Sequence, residues 1–428
     1  MSTARVQPTQ SRRNVVGASS VAGASLWSAL VSYLVMAMAA WALSKDDATL
    51  LLTFLAVLFA TYGVMSGVAL EVTRSVAAAA RDNRADGPPL WQVAAVVSSV
   101  GVLAVLAVSP LLTSRVLHQG GDAWPVGVLV IAVAAYGMHC VLAGAYSGAS
   151  RWRDAAAVIA GEATLRLLAT VAVVAVAASV SSMGAASACG AAAWLLLLGM
   201  SRTSRSALHL RADCRGPVLA RRVTAALVAQ GASAVLVVGF PILLAATTSR
   251  SEYASAAPFL LAISLTRAPV LLPLNALQGV AVSHLVRAGS GLGRLLLRLL
   301  ALVAGVGVVA AAAAWVIGPF LLRSMFGPTY VVEGVVLAAL TIAAAGTAAL
   351  TLTGACAQAL ASHGWYLAGW LVAVATCVLL LQVEGTMEWR GCLALGVAPV
   401  AGLAVHVLGL ARLRRAGRAA AAAGDGNG

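Results

Sequence analysis

The 428-residue chain is 61% hydrophobic and 10% charged, with mean hydropathy +0.94, which excludes a soluble globular protein and points to a polytopic membrane protein. Its net charge of +14 would suggest nucleic acid in a soluble chain, but the basic residues lie in the gaps between apolar segments, so topology explains them and no nucleic-acid partner is expected. The six cysteines show neither CxxC nor metal-ligand spacing, so no disulfide framework, metal or cofactor is expected.

A polar tail, residues 1–14, precedes apolar segments at about 15–43, 48–70, 91–112, 126–147, 155–180 and 185–200. A basic linker, 201–222, is followed by segments at about 223–247, 254–282, 295–320, 334–360, 365–381 and 391–410, and then by a low-complexity tail, 411–428, expected to be disordered. The predicted architecture is all-α, with 12 transmembrane helices in two six-helix lobes, 15–200 and 223–410. Gaps on the amino-terminal side carry Arg74, Arg81, Arg84, Arg151 and Arg153, the arginines of the linker, Arg287, Arg294, Arg298 and those of the final tail. The opposite side carries only Lys45, Arg115, Arg250, Arg323 and Arg390, so both termini are predicted to be cytoplasmic. Trp41, Trp91, Trp124, Trp152 and Trp389 lie near segment ends, as an interfacial belt requires.

In the first segment, Asn14, Ser25, Ser28 and Ser32 share one helix face, which either makes helix contacts or lines a cavity. GVMSG (Gly63 to Gly67) and GAYSG (Gly144 to Gly148) have the spacing that lets helices approach closely. Glu71 and Arg74, three apart at the end of the second segment, read as an interfacial ion pair or a gate. Glu162 and Arg166, four apart in the fifth, can neutralise each other on one face. The pair reads as structural, with proton coupling through Glu162 as the alternative. His139 reads as a hydrogen-bonded core histidine. Gln230 and Ser233, with Pro241 near the same face, form a polar patch in the seventh segment.

The eighth segment differs in kind, because Arg267 lies near its middle and no acidic residue shares the segment. An arginine at that depth faces protein or water. Ser264, Arg267, Asn275 and Gln278 fall within about 80° of one another on the helix wheel, a polar stripe beside Pro269 and Pro273. Arg267 either locks kinked carbonyls or an unseen acid, or aims a fixed positive charge at an anionic cargo; its fork suits phosphate.

The LTRAP core of this segment with its continuation VLLPLNALQGVAVSHLV, the EVTR close of the second segment and the MFGPTY turn from Met325 to Tyr330 resemble bacterial polysaccharide flippases. Those belong to the multidrug/oligosaccharidyl-lipid/polysaccharide exporter superfamily. A bacterial source also suits the alanine- and arginine-rich composition, with Lys45 as the one lysine. The resemblance implies a V-shaped pair of lobes around a cavity. Through it a polyprenyl-diphosphate-linked oligosaccharide would cross the inner membrane by alternating access, without enzymatic chemistry. The implied partners are the lipid-linked glycan, membrane lipids and polysaccharide-assembly proteins. In similar lipid II flippases an arginine on the eighth helix engages the diphosphate, the role that falls here to Arg267. The first segment lacks the charges of those relatives, and helices 13 and 14 are missing, which disfavours lipid II itself.

A cation-coupled multidrug exporter of the same superfamily is the alternative, for which Glu162 is the one acid inside a span. A membrane glycosyltransferase or polymerase needs a catalytic cluster on an outward loop, and the short loops offer none. A non-transporting scaffold remains a third reading.

Overall fold

The structure is a computed structural model and describes residues 8–83, 85–117, 123–267, 292–360 and 362–425. Asn275, Gln278, Pro269 and Pro273 lie outside the described residues. In chain order the helices are α1 (Pro8–Ala42), α2 (Lys45–Asp82), α3 (Leu90–Leu111), α4 (Trp124–Gly148), α5 (Trp152–Val176), α6 (Val180–Cys189), α7 (Trp194–Met200), α8 (Arg202–Ala207) and α9 (Gly216–Val237). They continue as α10 (Phe240–Thr247), α11 (Arg250–Tyr253), α12 (Ala257–Arg267), α13 (Leu292–Phe326), α14 (Gly334–Ala359), α15 (His363–Leu380) and α16 (Met387–Asp425).

Local chemistry sets the ends. The Ser44 side chain accepts the Asp47 N–H at the start of α2, and Asn83 closes it in the left-handed region at φ 48°. Ser179 and Ser182 form a reciprocal capping pair before α6. In the MFGPTY turn, Gly327 at φ +102° lets the chain leave α13.

Among the described residues nine helices are long and apolar enough to cross a membrane, α6 and α7 counting as one span from Val180 to Met200. The protein is therefore a multi-pass membrane protein. A tenth span results if α9 and α10, bent by 65°, are taken together; Ala257–Arg267 and Gly364–Leu380 are shorter apolar helices. The seventh segment, expected to be continuous, is thus broken. Its cause is Pro241, which has no N–H to offer the carbonyl four residues back, that of Val237.

The chain divides into two compact units, Met1–Ala234 and Val235–Gly428. In the first, α2 is the buried centre and packs on α4, while α1 packs on α5. The GAYSG glycines seat α4 on α2: a Cβ at Gly144 would lie 2.6 Å from the Ala69 carbonyl oxygen, and one at Gly148 2.6 Å from that of Thr73. The GVMSG glycines receive α9, with Gly67 against the Ala226 carbonyl and Gly63 against the Ala234 methyl. Residues 201–222, read as a linker, hold α8, the start of α9 and a segment that pairs with the α2–α3 connection through Leu90 N–H to Leu210 O (2.9 Å) and Gly87 N–H to Ala212 O (2.9 Å).

In the second unit α14 packs on α13 and α16, and α15 on α16. The fully buried His406 faces the Thr353 hydroxyl through Nδ1 (3.1 Å) and the Tyr366 carbonyl through Nε2 (3.1 Å). The carbonyl only accepts, so Nε2 donates. With both ring nitrogens fixed, the ring cannot yield to a Cβ at Gly369, which would lie 2.2 Å from it. Gly369→Ala is expected to cost about 1–3 kcal/mol as overpacking, read as a lowered unfolding midpoint in detergent. Gly396→Ala in the same helix as His406 meets nothing within 4 Å and serves as the neutral control.

Candidate functional site

Three clusters hold most of the described charged and polar residues singled out in the sequence. The first lies inside the α1–α2–α5 packing. Arg166 is 2% exposed and Glu162 6%, and their Nη1 and Oε1 atoms stand 3.1 Å apart. From α1, Ser28 and Ser32 turn their hydroxyls to Arg166 Nη2, each at 3.4 Å. From α2, the Phe59 ring covers the guanidinium at 4.8 Å from its centroid. Trp27 adds an α1–α5 tie by donating its indole N–H to the Thr164 hydroxyl at 3.0 Å. Gly190 lets the next helix approach, since a Cβ there would lie 2.7 Å from the Glu162 carbonyl oxygen. Ser28 and Ser32 of the first span, both half-buried, and the buried ion pair of the fifth, read separately in the sequence, meet in one cluster, while Ser25 of the same face is exposed and donates to the Val21 carbonyl.

Beside it the rings of Tyr62 and Tyr136 stack at 3.7 Å, and His139 stacks on Tyr136 at 4.7 Å. His139 is buried, as expected of a core histidine, but its Nδ1 has no hydrogen-bond partner among the described residues. The ring is instead stacked on Tyr136.

The second cluster is at the end of α2. Glu71 accepts from Arg74 at 2.6–3.0 Å, as expected of the pair, but Arg74 also donates to Asp213 at 3.0 and 3.1 Å. Ser75 and Arg222 donate to Asp213 as well, at 2.7 and 3.2 Å. Burial pushes the Asp213 carboxyl up, but the hydrogen bonds from Arg74 and Ser75 outweigh it and hold the group at about 2. A carboxyl depressed in the folded state contributes stability above its unfolded pKa of about 3.9, and that contribution is lost as pH falls through about 2. Hydrogen-exchange protection of the Gly87 and Leu90 amides is therefore expected to hold from pH 8 down to 4, and Asp213→Asn to lower it throughout that range.

Gln230 lies in the α2–α9 seam, donating to the Ser66 hydroxyl at 3.1 Å, while Ser66 itself donates to the Gly63 carbonyl. The third cluster, in the second unit, contains Arg267 and Ser264. The Ser264 hydroxyl donates back to the Leu260 carbonyl at 3.0 Å. Arg267 Nη1 donates to the carbonyl of Val237, the one that Pro241 leaves without its helical donor. Half-buried Arg267 thus caps the break between α9 and α10.

Sequence reasoning missed a second tie in this unit. Arg390, 8% exposed, pairs with Glu252 at 3.1 Å and donates to the Thr247 and Leu381 carbonyls. The two residues are 138 positions apart, and no local spacing announces them. Among the described residues no group of histidine, cysteine and acidic side chains could hold a metal.

No protein-family model matches the chain. An uncharacterized protein of Mycobacterium tuberculosis is 38% identical over 321 residues, 75% of this chain and 74% of its own length. A second one from that organism is 34% identical over 397 residues, 92% of this chain and 91% of its own, and a counterpart in Mycobacterium bovis aligns over the same shares. The chain belongs to the family of these mycobacterial proteins. Among solved structures, an inward-facing multidrug resistance MATE family transporter of the MOP superfamily superposes with TM-score 0.65 at 14% identity, covering 90% of this chain and 96% of that one. A MOP superfamily transporter from Pyrococcus furiosus, described as having a binding pocket of reverse polarity, gives 0.66 at 13% identity over 93% and 96%. This chain thus has the fold of MATE-type transporters.

Proposed function

We propose that this chain is a flippase that moves a polyprenyl-diphosphate-linked oligosaccharide from the cytoplasmic to the outer leaflet by alternating access, for cell-surface polysaccharide biosynthesis. The observation that carries the reading is the balance of charge inside the spans. The one mid-span carboxylate, Glu162, is matched by Arg166, and Arg267 adds a positive charge with no acid in its own segment. A net-positive interior favours an anionic cargo. The transporter fold supports movement across the membrane, and an inside-negative potential favours outward passage of an anion by about 2.3 kcal/mol per charge per 100 mV. In this reading Arg267 contacts the diphosphate while the Val237 carbonyl fixes the direction of its guanidinium.

Deleting the gene tests the proposal: a lipid-linked glycan is expected to accumulate on the cytoplasmic leaflet, and an unchanged lipid-linked pool sinks it. The competing reading, a cation-coupled multidrug exporter, is favoured by the single mid-span acid. Dye export that depends on Glu162, without a glycan phenotype, would establish that reading instead.

A further inference from the structure

We infer that one end of the first unit is a docking surface for anionic phospholipid headgroups of the leaflet it faces. The end of α2, the α4–α5 turn, α8, the paired segment 208–215 and the first turns of α9 all meet there, joined by Arg74 to Asp213, Leu90 to Leu210 and the packing of Ala207 against Leu142, Tyr146 and Ala155. The arginine bias assigns this end to the cytoplasm. Its acids are largely claimed: Glu71 and Asp213 by Arg74 and Arg222, Asp82 by Arg81, and Asp154 by Arg151, which leaves Asp86 without an ion pair among the described residues.

Arg153, Arg202, Arg205, Arg215 and Arg221 are exposed there and form no ion pair among the described residues. The backbone that carries most of them is held by α8 and by its pairing with the α2–α3 connection, so these charges are displayed on a fixed scaffold and not on a loose tether. Large apolar side chains are interleaved with them: Met200 is 86% exposed, Val218 47% and Trp91 44%. Basic groups mixed with exposed apolar ones suit the headgroup and acyl boundary of an anionic membrane, where the guanidinium takes the phosphate and the apolar side chain enters the lipid. Bulk water would satisfy the arginines but not Met200 and Val218.

The test uses the purified full chain and needs no glycan, so its failure is separate from failure of the flippase reading. Native mass spectrometry would count phosphatidylglycerol against phosphatidylcholine retained from mixed micelles. The wild type is expected to retain phosphatidylglycerol several-fold over phosphatidylcholine, with the preference collapsing at high salt. Joint replacement Arg153→Gln, Arg202→Gln, Arg205→Gln, Arg215→Gln and Arg221→Gln should abolish the preference, and the corresponding lysine variant should keep most of it. Equal retention of both lipids by the wild type, or an undiminished preference in the glutamine variant, overturns the proposal. If the glutamine variant fails to fold, the salt titration of the wild type decides: a preference that persists at high salt overturns it. A polyprenyl diphosphate that excess phosphatidylglycerol does not displace would assign the surface to the cargo, which also overturns the lipid assignment.

Discussion

Replacing Arg166 by methionine is expected to be the most destabilising single change in the first unit, at about 3–5 kcal/mol. The substitution keeps most of the side-chain volume but leaves Glu162, 6% exposed, without its counter-charge in the helix packing. It also removes the guanidinium that joins Ser28 and Ser32 of α1 to Phe59 of α2. Because an apolar pair of similar volume is often as stable as a buried ion pair, Glu162→Leu combined with Arg166→Met should recover most of the loss. Thermal unfolding of the two single variants and the double variant in detergent gives the coupling directly. A double variant as unstable as Arg166→Met alone would show that the contacts to α1 and α2, and not the pairing with Glu162, carry the effect.

Arg267→Ala is expected to insert into the membrane yet abolish glycan export, and Arg267→Lys to retain part of it. Loss of a charge-assisted hydrogen bond, about 1.5–3 kcal/mol, corresponds to a fall of on the order of 10- to 150-fold in cargo affinity. The Val237 contact supplies a control that separates cargo from scaffold. Pro241→Ala supplies the N–H that a continuous helix would direct at the Val237 carbonyl, so the helix itself can come to satisfy that oxygen. If Arg267 serves only to hold the break, Pro241→Ala should rescue export by Arg267→Ala. If Arg267 contacts the diphosphate, export stays lost in the double variant. Transport of the lipid-linked glycan measured in cells lacking the native copy distinguishes the outcomes.

The long apolar runs made the helices legible, and the two GxxxG spacings announced real close approaches of α2 to α9 and to α4. The Glu162–Arg166 pair was readable because one turn of helix brings those positions together. What spacing could not give is which helices meet. Ser28 and Arg166 lie 138 residues apart, so their meeting depends on α1 packing against α5. Asp213 was not singled out in the sequence, because only the folding back of the linker makes it the hub for Arg74, Ser75 and Arg222. Pro241 and Arg267 were each conspicuous in the sequence, but the carbonyl that unites them is visible only when the chain between them turns back.

The seam between α2 and α9 has a consequence for biogenesis. Gly63, Ser66 and Gly67 are covered by Ala234, Gln230 and Ala226, residues made only after the first six spans have left the ribosome. Until then α2 has a strip of small residues with no helix packed on it and a hydroxyl that, though it donates to its own helix at Gly63, lacks the donor Gln230 later supplies. A polypeptide ending at residue 200 would keep that strip uncovered, whereas one extending through Ala234 would carry its own cover. The first unit therefore borrows its last wall from the start of the second half of the sequence, and its assembly in the membrane finishes only once translation has passed the connection between the halves.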